Sequence, residues 1–219
     1  MAEQAVLFDL DGTLADTAPD LADALNRLRR EEGKRPIPLA RVRPFASAGA
    51  RGLLRAGFGV GPGDAEYEAL RAAFLEHYRA RTCVKTKLFP GVRPLLSALR
   101  ARAIPWGIVT NKLQRFTDRI VARLGLAPDC VVCGDTTPHT KPHPAPLLAA
   151  AERLGVAATR CWYLGDDLRD MQAARAAAMR PVAVLWGYHH PEGGDPVSWQ
   201  ADALIERPAD LLALLERGA

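Results

Sequence analysis

Two aspartates, Asp9 and Asp11, follow the first apolar run of the chain, residues 5–8. One carboxylate at such a position can attack phosphorus and form an aspartyl-phosphate. The other can protonate the leaving oxygen and later activate the water that clears this intermediate. Gly12 permits the sharp turn that brings both side chains to one centre. We therefore predict that Asp9 is a nucleophile and Asp11 a general acid/base. A plain Asp-Gly turn is the alternative, and the length of the segment DLDGTLADT (residues 9–17) argues against it.

Two further segments offer partners for a phosphoryl group. Thr110 and Asn111 follow the apolar run 104–109, and a hydroxyl with backbone amides at a strand end can bind phosphoryl oxygens. Thr-Asn is also a common start of a helix. Lys141 precedes a proline-stiffened loop, where it would place a fixed positive charge beside the phosphoryl group and the nucleophile. Taken alone, a Lys-Pro pair is more often a plain surface feature.

Three more carboxylates, Asp166, Asp167 and Asp170, follow the apolar run 161–164. Acids this close repel one another unless a cation lies between them. The alternative is a helix N-terminus that the acids stabilise through its dipole. We favour a metal site, because Mg²⁺ prefers oxygen ligands.

The predicted metal ligands come from two of these segments. We expect Asp9, Asp166 and the backbone carbonyl of Asp11 to supply the protein's share of an octahedral Mg²⁺ site. Asp170 lies one helical turn further on. It is expected to orient Lys141 or a metal-bound water, with Asp167 in support.

The elements that must position these residues alternate along the chain. The predicted strands are residues 5–9, 104–109, 130–133, 161–164, 181–186 and 203–205. These short apolar runs are typical of strands buried on both faces, and helical patterns lie between them. Strands alternating with helices predict an α/β fold with a parallel sheet covered on both faces. Ligands of such sheets bind beyond the carboxyl ends of the strands, so the polar strand ends should converge.

Residues 18–88 interrupt this alternation, because their apolar patterns are helical only and are broken by Gly and Pro. We predict a core domain of residues 1–17 and 89–219, and an all-helical cap domain of residues 18–88. Residues 187–199 are Gly-, Pro- and Asp-rich and predict a long loop, of a kind that often carries function.

In their order and spacing, the segments at Asp9, Thr110, Lys141 and Asp166 resemble the four motifs of the haloacid dehalogenase (HAD) superfamily. The resemblance runs from Asp9 to Asp170. It implies a Rossmann-like three-layer core with a small helical cap inserted after the first strand, and Mg²⁺-dependent chemistry. Asp11 favours a phosphatase, since the true dehalogenases of this superfamily lack an acid at that position.

More narrowly, the chain resembles phosphoglycolate phosphatases and N-acetylmuramic acid 6-phosphate phosphatases. The segments that carry this likeness are residues 47–51, 106–112, 165–170 and 187–192, together with Trp199. The resemblance implies a small phosphate ester as substrate. Both esters carry a carboxylate, and Arg51 is a candidate clamp for it, since Arg binds carboxylates bidentately. Arg51 can equally be a surface residue of a cap helix.

Two other functions share these motifs. A sugar phosphomutase or phosphotransferase, such as β-phosphoglucomutase, would pass the phosphoryl group to a sugar hydroxyl instead of water. A non-catalytic phosphate-binding module is the second alternative, because a fold alone does not fix function. Such a module has no need of both Asp9 and Asp11.

The composition limits the partners. The 219 residues include 29 Lys and Arg against 25 Asp and Glu, a net charge of +4. The basic residues are scattered rather than clustered with aromatics, which argues against nucleic acid. No segment is long and apolar enough to span a bilayer, and the N-terminus lacks the basic run of a secretory signal, so we expect the cytoplasm. Four cysteines are expected to be structural thiols. The sequence does not decide between a monomer and a homodimer.

Overall fold

A six-stranded sheet with parallel neighbours lies at the centre of the computed structural model, which describes residues 3–217. Across the sheet the strands are β5 (Cys130–Val132), β4 (Trp106–Val109), β1 (Ala5–Phe8), β6 (Cys161–Gly165), β7 (Arg180–Val184) and β8 (Ala203–Ile205). The α/β fold class and its parallel sheet are confirmed. The predicted core domain also includes residues 1, 2, 218 and 219, which lie outside the described residues.

The central strand β1 is buried along its whole length, as its apolar run requires. Val6 pairs with Trp106 of β4 on one side and with Trp162 of β6 on the other. The pairing continues one residue beyond the strand, where the Asp9 N–H donates to the carbonyl of Leu164 at 2.9 Å. The carboxyl ends of β1 and β6 therefore lie side by side.

Helices cover both faces of this sheet and make three layers. They are α5 (Val92–Ala101), α6 (Gln114–Arg123), α7 (Ala145–Leu154), α8 (Leu168–Ala176) and α9 (Asp210–Arg217), with short 3₁₀ helices at Ala158–Arg160, Pro191–Gly193 and Pro196–Trp199. On one face Phe8 belongs to a buried cluster with Leu99 of α5 and Leu211 of α9. On the other, Leu7 belongs to a cluster with Leu147 of α7.

The helices of residues 18–80 share a second apolar cluster, to which Phe116 of α6 and Tyr188 also belong. These helices are α1 (Ala18–Glu31), α2 (Leu39–Val42), α3 (Gly49–Phe58) and α4 (Tyr67–Ala80), with a 3₁₀ helix at Arg43–Ala48. Leu25, Leu54 and Phe74 are buried in this cluster. We call residues 18–86 the helical segment. The division into a core domain and a helical cap domain stays a prediction.

A small antiparallel sheet joins the two ends of the helical segment. It consists of β2 (Ala15–Asp16) and β3 (Lys87–Leu88), with Ala15 opposite Leu88. The sequence predicted only helical structure for residues 18–88, so β3 is a difference from that prediction. A two-residue strand is too short to show a period-two pattern, and its partner is distant in the sequence.

Asp20 holds together the two segments that connect the helical segment to the rest of the chain. Its buried carboxylate accepts hydrogen bonds from the backbone N–H groups of Lys85 (2.9 Å) and Thr86 (2.8 Å) and from the Thr86 hydroxyl (2.6 Å). The first turn of α1 is thereby tied to the segment that leads into β3.

The four cysteines, Cys83, Cys130, Cys133 and Cys161, are buried and free of disulfide bonds. Burial raises the pKa of the Cys130 thiol to about 11. These observations agree with the expectation of structural thiols. Across residues 3–217, no helix combines the length and apolar character needed to cross a membrane.

Candidate active site

The polar strand ends converge at one edge of the sheet. Asp9 follows β1, Thr110 follows β4 and Asp166 follows β6, and all three are buried. Asp9, Asp11 and Thr110 line a cavity of about 240 Å³ that lies between this edge and the helical segment. This is the position at which open parallel sheets bind their ligands.

Lys141 is the central cation of this edge. Its Nζ lies 2.8 Å from Asp9 Oδ1 and 2.7 Å from Asp170 Oδ1, and all three side chains are buried. The same Nζ donates to the Tyr163 hydroxyl at 2.7 Å, which in turn donates to the carbonyl of Val109 at 2.8 Å. Burial alone would lower the pKa of Lys141, but the Asp170 and Asp9 carboxylates raise it above its ordinary value. Lys141 therefore stays charged.

Asn111 fixes the backbone of Lys141. Its Nδ2 donates to the Lys141 carbonyl and its Oδ1 accepts from the Lys141 N–H, both at 2.9 Å. Thr110 Oγ1 accepts from the N–H of Lys112 at 3.2 Å in the turn that follows β4. The sequence suggested phosphate contacts for Thr110 and Asn111. Both line the cavity, and that role stays a prediction, but the Asn111 side chain also has a structural task that the sequence did not reveal.

Asp166 is fully buried and accepts three hydrogen bonds. Its Oδ1 accepts from the Thr13 hydroxyl at 3.2 Å, and its Oδ2 accepts from the Tyr188 N–H at 2.8 Å. The Ser47 hydroxyl, from the helical segment, also donates to Oδ2 at 2.9 Å. Burial raises the pKa of Asp166 well above its usual range, and the Asp9 carboxylate acts in the same direction.

Two glycines make room for Asp166. Gly12 has a φ of +84°, and a Cβ at this position would lie 2.1 Å from Asp166 Oδ2. A Cβ at Gly187 would lie 2.1 Å from the Asp166 Cβ. Gly12 thus occupies the tight turn that the sequence predicted, and it also admits a carboxylate that any side chain would displace.

Asp9, Asp166 and Asp170 form a buried carboxylate cluster in which one oxygen of each lies within 4.8 Å of the others. Burial, together with the Asp9 and Asp167 carboxylates, raises the pKa of Asp170 to about 7 although Lys141 opposes this rise. Closely spaced buried acids with only oxygen donors fit a hard divalent cation such as Mg²⁺. The predicted ligands Asp9 and Asp166 both belong to this cluster. It also contains Asp170, which the sequence suggested only as an orienting residue.

Asp11 has different surroundings. Its Oδ1 accepts from the Thr17 hydroxyl and lies 3.0 Å from Lys112 Nζ. Burial alone would lower the pKa of Lys112, but the Asp11 carboxylate raises it above its ordinary value. Lys112 was not among the predicted site residues, although its place directly after Thr110 and Asn111 is a signal in the sequence.

Asp167 and Asp170 shape the start of α8 as a capping box. The Asp167 carboxylate accepts from the N–H of Arg169 at 3.0 Å, and Asp170 Oδ2 accepts from the N–H of Asp167 at 3.1 Å. The Arg169 guanidinium also pairs with Asp167 at 2.8 and 2.9 Å and donates to the carbonyl of Ser47 at 3.1 Å. Burial would raise the pKa of Asp167, but Arg169 lowers it. This pair links the site to the helical segment.

Comparison with known proteins identifies the family. Residues 3–178 match the family model described as haloacid dehalogenase-like hydrolase. The chain belongs to the haloacid dehalogenase-like hydrolase family. A phosphoglycolate phosphatase of Xanthomonas campestris pv. campestris (strain 8004) is 48% identical to this HAD hydrolase, over 95% of this chain and 94% of that protein.

Two further proteins resemble this HAD hydrolase over nearly its whole length. An N-acetylmuramic acid 6-phosphate phosphatase of Pseudomonas aeruginosa is 41% identical over 99% of this chain and 96% of that protein. A solved structure from Lactobacillus delbrueckii subsp. bulgaricus, provisionally named a phosphoglycolate phosphatase, superposes with a TM-score of 0.86 at 25% identity. That match covers 98% of this chain and 99% of the other. The predicted family is confirmed, and the protein is an enzyme of a family that hydrolyses phosphate monoesters.

In this HAD hydrolase, Arg51 is an exposed residue of α3 that lines the cavity. Arg71 of α4 and Lys112 line the same cavity, so several positive charges face its contents. Arg51 thus lines the same cavity as Asp9 and Asp11. Its contact with a carboxylate stays a prediction.

The loop of residues 187–199 connects the site with the start of the helical segment. The Tyr188 hydroxyl donates to Asp16 Oδ1 and accepts from the N–H of Ala18, both at 2.9 Å. Arg43 pairs with both carboxylate oxygens of Asp16, at 3.0 and 2.8 Å. Together with the bond from the Tyr188 N–H to Asp166, these contacts give the loop a positioning role that the sequence left open.

Proposed function

We propose that this HAD hydrolase is a Mg²⁺-dependent phosphomonoesterase that works through a phosphorylated Asp9. The observation that supports this most strongly is the pair of acids at the cavity. Asp9 is held by Lys141 at 2.8 Å, while Asp11, two residues on, is held separately by Lys112 at 3.0 Å. Two neighbouring carboxylates with different partners can take different roles in one reaction.

In the first step, a carboxylate oxygen of Asp9 attacks phosphorus and the bond from phosphorus to the ester oxygen breaks. Asp11, protonated at this stage, gives its proton to the departing oxygen. In the second step, Asp11 takes a proton from water, whose oxygen attacks phosphorus and releases phosphate. Asp9 is then a free carboxylate again and Asp11 is protonated for the next cycle.

Lys141 and the carboxylate cluster organise the charge in this scheme. Lys141 fixes the Asp9 carboxylate and places positive charge beside the phosphoryl group. Asp9 and Asp166, with the Asp11 carbonyl, would hold Mg²⁺, and Asp170 joins the cluster. A bound Mg²⁺ would offset the charge of the carboxylates and of the phosphoryl oxygens, so that the two can approach.

The proposed substrate is a small phosphate ester with a further negative charge. The positive charges of Arg51, Arg71 and Lys112 around the cavity support an anionic alcohol part. The names of the two curated relatives make phosphoglycolate and N-acetylmuramic acid 6-phosphate the first candidates. We also propose a cytoplasmic location, which the four unpaired cysteines support.

Phosphate release from p-nitrophenyl phosphate tests the proposed function. We expect turnover with Mg²⁺, none with excess EDTA, and none in Asp9→Asn. Asp118→Asn is the matched control, because Asp118 is exposed on α6 away from the cavity lining, and it should retain wild-type activity. Turnover by Asp9→Asn would disprove the nucleophile assignment. Transfer from β-glucose 1-phosphate to a sugar hydroxyl without phosphate release would favour the mutase.

A further inference from the structure

One face of α4 lines the cavity on the side of the helical segment. Tyr67, Arg71, Phe74 and Tyr78 line it, spaced by four, three and four residues. Residues at this spacing share a single face of a helix. The cavity wall opposite the catalytic acids is therefore built from aromatic rings together with a cation.

Tyr78 stands out on this face because its hydroxyl is unsatisfied. The side chain is 2% exposed and packs against Phe74 and Phe116, whose ring centroids lie 6.4 and 5.0 Å away. Among the buried side-chain polar atoms of residues 3–217, the Tyr78 hydroxyl oxygen is the one without a hydrogen-bond partner. Buried polar groups are normally paired, so an unpaired one beside a cavity suggests a ligand that completes it.

Lys112 lies next to this hydroxyl-bearing ring. Its Nζ is 5.0 Å from the centroid of the Tyr78 ring and 3.0 Å from Asp11 Oδ1. An ammonium group has three N–H donors and no acceptor, so Lys112 can pair with Asp11 and interact with the Tyr78 oxygen while the Tyr78 proton stays free to donate. Lys112 follows β4, whereas Tyr78 belongs to α4, so residues from two distant segments meet at this point of the cavity lining.

We infer that Tyr78 and Lys112 together bind a carboxylate on the alcohol part of the substrate, which makes them specificity-determining residues. This inference rests on the proposed function. The Tyr78 hydroxyl would donate to one carboxylate oxygen, and the Lys112 ammonium would offset the negative charge. Because Lys112 also contacts Asp11, the carboxylate lies on the leaving-group side of the phosphoryl group.

The state of the phenol is consistent with this role. Burial raises the pKa of Tyr78 to about 12, although the Lys112 ammonium opposes the rise. The hydroxyl therefore keeps its proton near neutral pH and is available as a donor. A hydrogen bond to a charged group is stronger than one between neutral groups, so its loss should be measurable.

Tyr78→Phe tests the inference, because it removes the hydroxyl and keeps the ring that packs on Phe74 and Phe116. Two substrate pairs are compared. Phosphoglycolate carries a carboxylate where ethyl phosphate has a methyl group, and N-acetylmuramic acid 6-phosphate carries a lactyl ether, with its carboxylate, that N-acetylglucosamine 6-phosphate lacks. We expect kcat/KM of Tyr78→Phe to fall about 10- to 100-fold on the carboxylate-bearing member of at least one pair, mainly through KM. The other member of that pair should change less than about twofold. The melting temperature should change little, because the ring keeps its packing on Phe74 and Phe116 and Lys112 keeps its ion pair with Asp11.

Three results would overturn the inference: equal losses on both members of each pair, no loss on any substrate, or a wild-type enzyme that does not prefer the carboxylate-bearing ester.

Lys112→Met provides a second variant. It should lower turnover of all four esters, because Asp11 loses its ion pair, and it should also remove the preference for the carboxylate. If Lys112→Met still prefers the carboxylate-bearing ester, Lys112 does not bind the carboxylate. The proposed function fails separately, if the wild-type enzyme releases no phosphate from any ester.

Discussion

Replacing Lys141 with methionine removes the cation that lies between two buried carboxylates. Its Nζ is 2.8 Å from Asp9 and 2.7 Å from Asp170, and the three side chains are 4%, 9% and 2% exposed. At an effective dielectric constant of about 20, each contact corresponds to about 6 kcal/mol of Coulomb energy, most of which offsets the cost of burying the charges. Removing one partner of a buried pair typically costs about 3–5 kcal/mol. For a chain of this size, that corresponds to a fall in Tm of roughly 6–20 °C.

Thermal unfolding followed by circular dichroism in EDTA measures this change. Lys87→Met is the matched control, because Lys87 is exposed on β3, and its Tm should stay within about 2 °C of the wild type. The double variant Lys141→Met/Asp170→Asn should be more stable than Lys141→Met, because it removes one of the carboxylates left unpaired. Mg²⁺ should also restore part of the lost stability. A Lys141→Met protein that melts with the wild type, or a double variant that is less stable than the single one, would refute this account of the site.

Three further predictions concern the turn at Gly12, the hydrogen bonds of Asp20 and the buried cysteine thiols. Gly12→Ala should abolish turnover and destabilise the fold. Gly63 also has a positive φ but nothing within 4 Å of an added Cβ, so Gly63→Ala should lower the free energy of unfolding by only about 1 kcal/mol. Equal effects of the two substitutions would exclude the contact with Asp166 as the cause. Asp20→Asn should lower the free energy of unfolding by about 2–4 kcal/mol in urea titrations, because the amide cannot accept all the bonds from residues 85 and 86. Asp23→Asn, which loses only ion pairs near the surface, should cost less than about 1 kcal/mol. Burial raises the pKa of Cys130, Cys133 and Cys161 to about 11, so few of these thiols should be ionised at pH 8. A thiol reagent should therefore label the native protein far more slowly than the urea-unfolded protein. Fast labelling of the native protein would contradict the burial of these thiols.

The scaffold of the site could be predicted from the sequence because its signals are local. Each central strand is a short apolar run, and Asp9, Thr110 and Asp166 stand directly at strand ends. The rule that parallel strands end at one edge then brings the three together without further information. The same local reasoning placed Gly12 in the turn.

The parts that the sequence did not reveal depend on contacts between distant segments. Ser47 reaches Asp166 only because the helical segment lies over the sheet edge, and no spacing in the sequence encodes that approach. The β2–β3 pairing and the hydrogen bonds of Asp20 have the same origin. Asp170 joins the carboxylate cluster because the capping box at the start of α8 fixes it there.

The central claim, that Asp9 carries the phosphoryl group, is tested most directly in Asp11→Asn with ³²P-labelled p-nitrophenyl phosphate. p-Nitrophenolate is a good leaving group and needs little help from an acid, so the first step should proceed while the second, which lacks its base, stalls. We expect a burst of nitrophenolate of about one equivalent per enzyme, with ³²P recovered after acid quench on the peptide that contains Asp9. Phosphate release without a burst, or label on any other residue, would contradict it.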